Sequence, residues 1–218
     1  MEVLLGGTAR RHGGGPWDLQ AQRLLSSGGV STPGITFQLL SGSHAAGHIE
    51  EFQALHAEVY AEPPYRRAED ASQFAARFAV QRRQPGFVLA EARHGGYLTG
   101  YASGMPLRPS TAWWRDLTTP LPEEVTAEHP GRTFALAGLL VRASWRRQGI
   151  GAALHGLILT GRPEERATLT VRPCAMAAQH ALRKWGWQKV GRIRSPAPDV
   201  PVLDILVREL PVRTRGAG

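Results

Sequence analysis

Cysteine is almost missing: the chain of 218 residues has one, Cys174. A single thiol forms no internal disulfide and builds no Cys-rich zinc site. That scarcity is compatible with a reducing compartment, and a cytoplasmic location is the expectation. Lysine is nearly as scarce. Only Lys184 and Lys189 occur, so arginine carries almost all of the positive charge behind a net +8. The arginines are dispersed along the chain and not gathered into one run. They read either as solvated charge or as a local basic site for an anionic ligand, and nucleic-acid binding is not expected. No apolar run approaches the roughly eighteen residues of a membrane-spanning helix, so no membrane partner is expected. A basic segment followed by an apolar one is missing near Met1, so no secretory signal is expected. The Gly-x-x-x-x-Gly-Lys-Ser/Thr loop and the Gly-x-Gly-x-x-Gly turn are absent too, which removes the common nucleotide-binding classes.

What is present is an ordinary globular composition, 42% hydrophobic and 20% charged. A chain of this length buries roughly 70% of its unfolded surface and needs no metal or disulfide staple. Residues 1–33 are broken by Gly6-Gly7, Gly13-Gly14-Gly15 and Ser26-Ser27-Gly28-Gly29. They read as a mobile N-terminal tail. Residues 34–211 form the expected domain, and 212–218 a short polar end.

Within that domain the apolar spacing predicts strands at Ile35 to Leu40, Phe87 to Glu91, Tyr97 to Gly104, Phe134 to Val141, Ala167 to Val171 and Val202 to Val207. It predicts helices at His48 to Tyr60, Asp70 to Arg83, Ile150 to Leu159 and Cys174 to Trp185. Gly95-Gly96 signals a hairpin, Pro63-Pro64 stops the first helix, and Pro106 to Arg132 reads as a long loop. The order gives a mixed α/β (α+β) sheet with at least one strand-helix-strand crossover.

The segment from Leu139 to Leu154 carries the chemistry. A buried strand ends at Val141, a basic glycine-containing turn follows, and an amphipathic helix starts near Gly149. The first amides of a helix lack internal partners, and the helix dipole is positive there. Glycines let a phosphate approach the backbone, and Arg146 and Arg147 add charge beside it. A diphosphate cradle is one reading; a turn whose glycines merely ease packing is the other.

Arg146-x-x-Gly149-x-Gly151 resembles the Arg/Gln-x-x-Gly-x-Gly/Ala signature of the GCN5-related N-acetyltransferase (GNAT) superfamily. Ala178-x-x-Ala181-Leu182-x-x-x-Gly186-Trp187 resembles that family's Ala-x-x-Leu-Tyr-x-x-x-Gly-Phe ending. The resemblance covers residues 134–191 as motif and roughly 35–210 as architecture. It implies the GNAT fold: a mostly antiparallel twisted sheet of six to seven strands with about four helices, splayed between the fourth and fifth strands. It also implies acetyl-CoA as cosubstrate and no metal. Arg146, Arg147, Gln148, Gly149, Ile150, Gly151 and Ala152 would hold the phosphates. Backbone groups of Leu139, Leu140 and Val141 would pair with the pantetheine arm, helped by a bulge near Ala137-Gly138. The Val141 amide would donate to the thioester oxygen.

The expected activity is transfer of an acetyl group to a primary amine of a small molecule by direct attack in a ternary complex. The alternative is a non-catalytic acyl-CoA-binding module. That alternative draws on three departures from the family pattern: Leu182 stands where a tyrosine is usual, Ala175 where an asparagine is frequent, and residues 134–141 hold no carboxylate. Glu62 and Asp204 are candidate bases, each otherwise a plain structural carboxylate. Tyr65, Trp113 and Trp114 either line the acceptor site or pack as anchors. Cys174 reads as a small buried residue at a helix start, His180 as solvated, and His56 as core. His44 and His48 share a helix face but have no third ligand for zinc. A homodimer is left open.

Overall fold

The computed structural model describes residues 34–65, 71–194 and 202–210. The expected tail, the polar C-terminal end and the predicted start of the second helix at Asp70 lie outside the described residues. Seven strands form one sheet: β1 (Ile35–Ser41), β2 (Val88–His94), β3 (Tyr97–Pro106), β4 (Thr133–Val141), β5 (Arg166–Val171), β6 (Gln188–Arg194) and β7 (Val202–Glu209). Four helices among the described residues exceed one turn: α1 (Ile49–Ala61), α2 (Ala71–Gln81), α3 (Ile150–Leu159) and α4 (Met176–Lys184). The sheet order is β1-β2-β3-β4-β5-β7-β6. Every neighbouring pair is antiparallel except β4 and β5.

The helices form where the sequence places apolar residues on one face. In α1, Phe52, Leu55, His56 and Val59 are buried at helical spacing. His56 is core, stacked 4.2 Å from the Tyr60 ring and 4.9 Å from Phe74. Leu89, Leu98, Tyr101 and Leu140 complete this cluster under α1 and α2. On the other sheet face, Leu154, Leu157 and Ile158 of α3 and Leu182 of α4 pack with Phe134, Leu136, Leu169 and Leu206.

Two expectations change. Strand β6 is absent from the spacing analysis because it is an edge strand whose residues are exposed or half-buried, with no buried run to betray it. The 106–132 loop is packed, not open. It carries a helical turn at Glu123–Thr126, and Leu117 bridges to Ile193 of the sheet. Trp113, Leu117, Leu121 and Val125 close over Ile205 and Val207.

One break in the sheet positions everything that follows. β4 and β5 pair only through Thr133, Phe134 and Ala135 with Arg166, Ala167 and Thr168. Beyond them, β4 runs on to Val141 and β5 to Val171 without pairing, so the strands splay. Opposite β3, the register passes from Ser103–Gly138 to Gly104–Leu136, leaving Ala137 without a partner. This is the bulge expected near Ala137-Gly138, and it adds twist to β4 where it leaves β5. No helix among the described residues is long and apolar enough to cross a membrane.

Candidate functional site

The open edge of β4 has a definite polarity. The Arg142 amide donates to the Thr99 carbonyl of β3 at 3.0 Å. Peptide groups alternate along a strand, so those of Val141 and Leu139 turn to the opposite side, into the splay. The Val141 carbonyl confirms the direction, because Arg146 Nε bonds it at 3.0 Å. Leu140 was expected to offer its backbone to a ligand. It faces β3 instead, opposite Tyr101, and its side chain is buried.

After Val141 the chain makes a 3-10 turn at Ala143–Trp145 and enters α3 through Gly149. Gly149 has φ 82°, the left-handed conformation that glycine adopts without penalty. Arg147 has φ 64°, and a non-glycine residue held there signals local strain of the kind that gathers at functional sites. The helical ladder starts with the Ala153 amide on the Gly149 carbonyl at 2.9 Å, so the amides of Ile150, Gly151 and Ala152 have no partner within the helix. A Cβ on Gly151 would make only ordinary contacts, at 3.8 Å from Trp185 and Val141. The interior therefore does not demand glycine there, which fits a surface kept low for a ligand. The turn is pinned by Trp145, whose ring lies 4.9 Å from His94, and by Gln148, which donates to the Ser144 carbonyl at 3.1 Å.

Arg146 does more than border this cradle. Besides the Val141 carbonyl, it holds the Glu62 carboxylate at 2.8 Å. Glu62 caps α1, and the turn after it is closed by the Tyr65 amide on the Glu62 carbonyl at 2.9 Å. From the other side of the splay, Arg172, the first residue past β5, donates to the Tyr65 carbonyl at 3.2 Å. Its guanidinium carbon stands 5.2 Å over the Tyr65 ring. The Tyr60 ring lies 4.7 Å from the same ring. Burial pushes the Tyr65 phenol above its ordinary value against the opposing pull of Arg172 and Arg146. Glu62, Tyr65, Arg146 and Val141 thus come together. Arg172 joins them and was missed, though a charged residue directly after a buried strand was a usable signal.

The other candidates fall elsewhere. Asp204 lies in β7, with Lys189 at 2.6 Å, Arg192 at 3.0 Å and Gln179 at 3.0 Å. Burial alone would raise its pKa, but these donors outweigh it and hold the carboxyl below the usual range. Such an anchored carboxylate is a poor proton acceptor. Trp114 is buried, donates to Glu128 at 2.9 Å and lies 5.4 Å from the Arg166 guanidinium, so it anchors the loop. Trp113 packs on the same cluster. Cys174 is exposed, not buried, because α4 begins only at Met176 and leaves it in the preceding turn. His180 is exposed. His44 bonds Ser41 and His48 bonds Glu51, and among the described residues no cluster of His, Cys, Asp or Glu is arranged to hold a metal.

The fold that carries this cleft has counterparts. The E. coli ribosomal-protein-S18-alanine N-acetyltransferase superposes with TM-score 0.54 at 15% identity, over 84% of this chain and 99% of that one. An aminoglycoside 6'-acetyltransferase type Ii gives 0.55 at 14% identity, over 82% and 99%. An acetyltransferase from Salmonella typhimurium, solved with its cofactor acetyl-CoA, gives 0.53 at 14%, over 85% and 98%. At such identities the likeness shows the fold. No curated protein matches the sequence. The family model described as Acetyltransferase (GNAT) family matches residues 49–187, well over half of the chain. Splayed sheet, glycine-led helix entry and family match agree, and the chain belongs to the GNAT family of acetyltransferases.

Proposed function

We propose that this protein transfers an acetyl group from acetyl-CoA to a primary amine of a small molecule by direct attack in a ternary complex. The observation that carries this reading is the splay itself. A strand edge with the Val141 and Leu139 peptide groups turned outward ends at a helix entry with free amides. The cradle from Arg146 to Ala152 would hold the diphosphate, and the edge of β4 would pair with the pantetheine arm. The Val141 amide would donate to the thioester oxygen, where negative charge develops. Holding both reactants in one cleft supplies much of the rate. The acceptor would enter on the sheet face carrying α1, α2 and the 107–132 loop, where Tyr65 and Trp113 would border it. The reaction requires no metal, and the protein acts in the cytoplasm.

Titration with acetyl-CoA by calorimetry tests this reading. Saturable binding that is lost when Gly149 and Gly151 are both replaced by leucine is the expected result, and absence of binding in the unaltered protein defeats it. A second reading, an acyl-CoA-binding module without catalysis, is favoured by the commitment of Glu62 to Arg146 and of Asp204 to its three donors. Release of CoA on adding members of an amine panel separates the two.

A further inference from the structure

β4 lies inside the sheet, yet its middle is open. Its first four residues are buried, whereas Ala137 is exposed and Gly138 and Leu139 are half-buried. Gly138 sits directly opposite Ser103 of β3, so the two positions share one face, the one that carries α1. Neither backbone nor packing demands glycine at 138. Its φ is not positive. A Cβ there would meet Leu140 Cδ1 at 3.4 Å, Ser103 Oγ at 3.6 Å and Tyr101 Cε2 at 3.9 Å, all ordinary contacts. Two other glycines of this sheet differ: a Cβ on Gly104 would strike Ala135 O at 2.6 Å, and one on Gly100 would strike Leu140 O at 2.8 Å. Gly138 therefore leaves a notch the size of a small side chain, walled by Leu140 and Tyr101, with Ser103 Oγ at its edge.

Ser103 is an exception among buried polar side chains, which are almost always hydrogen-bonded. It is 4% exposed, and its hydroxyl makes no hydrogen bond among the described residues. Nor is that hydroxyl sealed in. The sealed side-chain atoms without a partner, among the described residues, are Glu91 Oε2, Trp113 Nε1 and Glu128 Oε2. Ser103 Oγ is thus a partnerless group with an opening, next to the empty place at Gly138.

We propose that this notch is an acceptor subsite selecting primary amines that carry a neutral hydroxyl at their far end, a specificity resting on the acetyl-transfer reading above. Position 138 lies three residues, about 10 Å, before Val141. The reacting nitrogen therefore sits beyond the notch, and the notch receives the other end of the acceptor. The nearest atoms around the empty Cβ position are two carbons and one hydroxyl oxygen. A carboxylate or ammonium placed there would lose its hydration without meeting a counter-charge. A serine hydroxyl both donates and accepts, and a hydroxyl on the acceptor answers it with a single heavy atom, which suits the space. Amines that end in a second charge are disfavoured on the same ground.

The test compares kcat/KM, read from CoA release, for ω-amino alcohols from aminopropanol to aminohexanol, each against the alkylamine with a methyl in place of the hydroxyl. At the length that spans the gap, the unaltered protein prefers the amino alcohol by about three- to tenfold, the size of a neutral hydrogen bond. Ser103→Ala abolishes that preference while its melting temperature and its calorimetric affinity for acetyl-CoA stay unchanged, since no internal hydrogen bond is lost. Gly138→Ala, whose methyl meets only ordinary contacts, abolishes it by filling the notch. No preference at any length in the unaltered protein, or a preference that survives Ser103→Ala, overturns the subsite and leaves acetyl transfer standing. Absence of CoA release with every amine overturns the acetyl-transfer reading and this specificity with it.

Discussion

Removing Arg146 should weaken acetyl-CoA binding far more than it weakens the fold, because its roles differ in size. Among the described residues it makes one ion pair, to Glu62, with the two side chains 40% and 31% exposed. Solvent screening limits such a pair to about 0.2–1 kcal/mol. Its bond to the Val141 carbonyl adds about 1 kcal/mol. Arg146→Ala should therefore cost at most about 2 kcal/mol of stability, a melting-temperature drop below roughly 8 °C for a chain this size. Toward a bound diphosphate, the loss is that of a charged hydrogen bond, about 1.5–3 kcal/mol, or about 10- to 150-fold in Kd. Arg146→Gln, which keeps a donor for the Val141 carbonyl, should fall between. The converse substitution sharpens the case. Glu62 competes with the phosphates for the same guanidinium, so Glu62→Gln should tighten acetyl-CoA binding by about two- to fivefold. Calorimetry on the three variants, with thermal melts alongside, gives all four numbers. Arg146→Ala binding acetyl-CoA within about threefold of the unaltered protein, or Glu62→Gln weakening it, would show that Arg146 serves the fold and not the ligand.

The remaining predictions concern a buried imidazole and the lone thiol. His155 accepts the Trp187 indole N–H at 2.9 Å and stacks 4.5 Å from Trp185. Burial, with Arg208 nearby, lowers its pKa from 6.5 to about 3. Its folded pKa lies below its unfolded one, so the neutral form contributes stability above pH 6.5 that is lost as pH falls toward 3. Denaturant midpoints measured across that range should fall, and should fall less in His155→Gln; parallel curves would refute the assignment. Exposed Cys174, beside the mouth of the splay, should alkylate with iodoacetamide, and acetyl-CoA should slow the labelling severalfold. Equal rates with and without acetyl-CoA would place the bound arm elsewhere.

What the sequence made legible was local. The turn from Arg146 to Gly151 could be read because its arginines, its glycines and the strand and helix flanking it are neighbours in the chain. The hairpin at Gly95-Gly96 was readable for the same reason: both residues have positive φ, as a tight two-residue turn requires. What was hidden depends on partners far away in sequence. Glu62 meets Arg146 only because α1 docks beside the end of β4, and no spacing rule announces that pair. Trp114 reads equally as wall or anchor until Glu128 and Arg166 converge on it. Strand β6 lacks a buried face and so lacks a period. Cys174 illustrates the limit of residue type as a guide, since free cysteine is usually buried and here two residues of displacement in the helix start leave it in solvent.

The short parallel seam between β4 and β5 has a mechanical meaning. Three residue pairs make the backbone seam between two plates, one of β1 to β4 and one of β5 to β7, and the seam is riveted from one side by Arg166, which grips Thr133 at 2.8 Å and Glu128 at 3.0 Å. The sheet is thus closed at its rivet and opens as a wedge-shaped gap at its far end. An extended guest filling that gap would act as the missing lath between the plates, and the stiffness of the whole sheet would then depend on the guest as much as on the host.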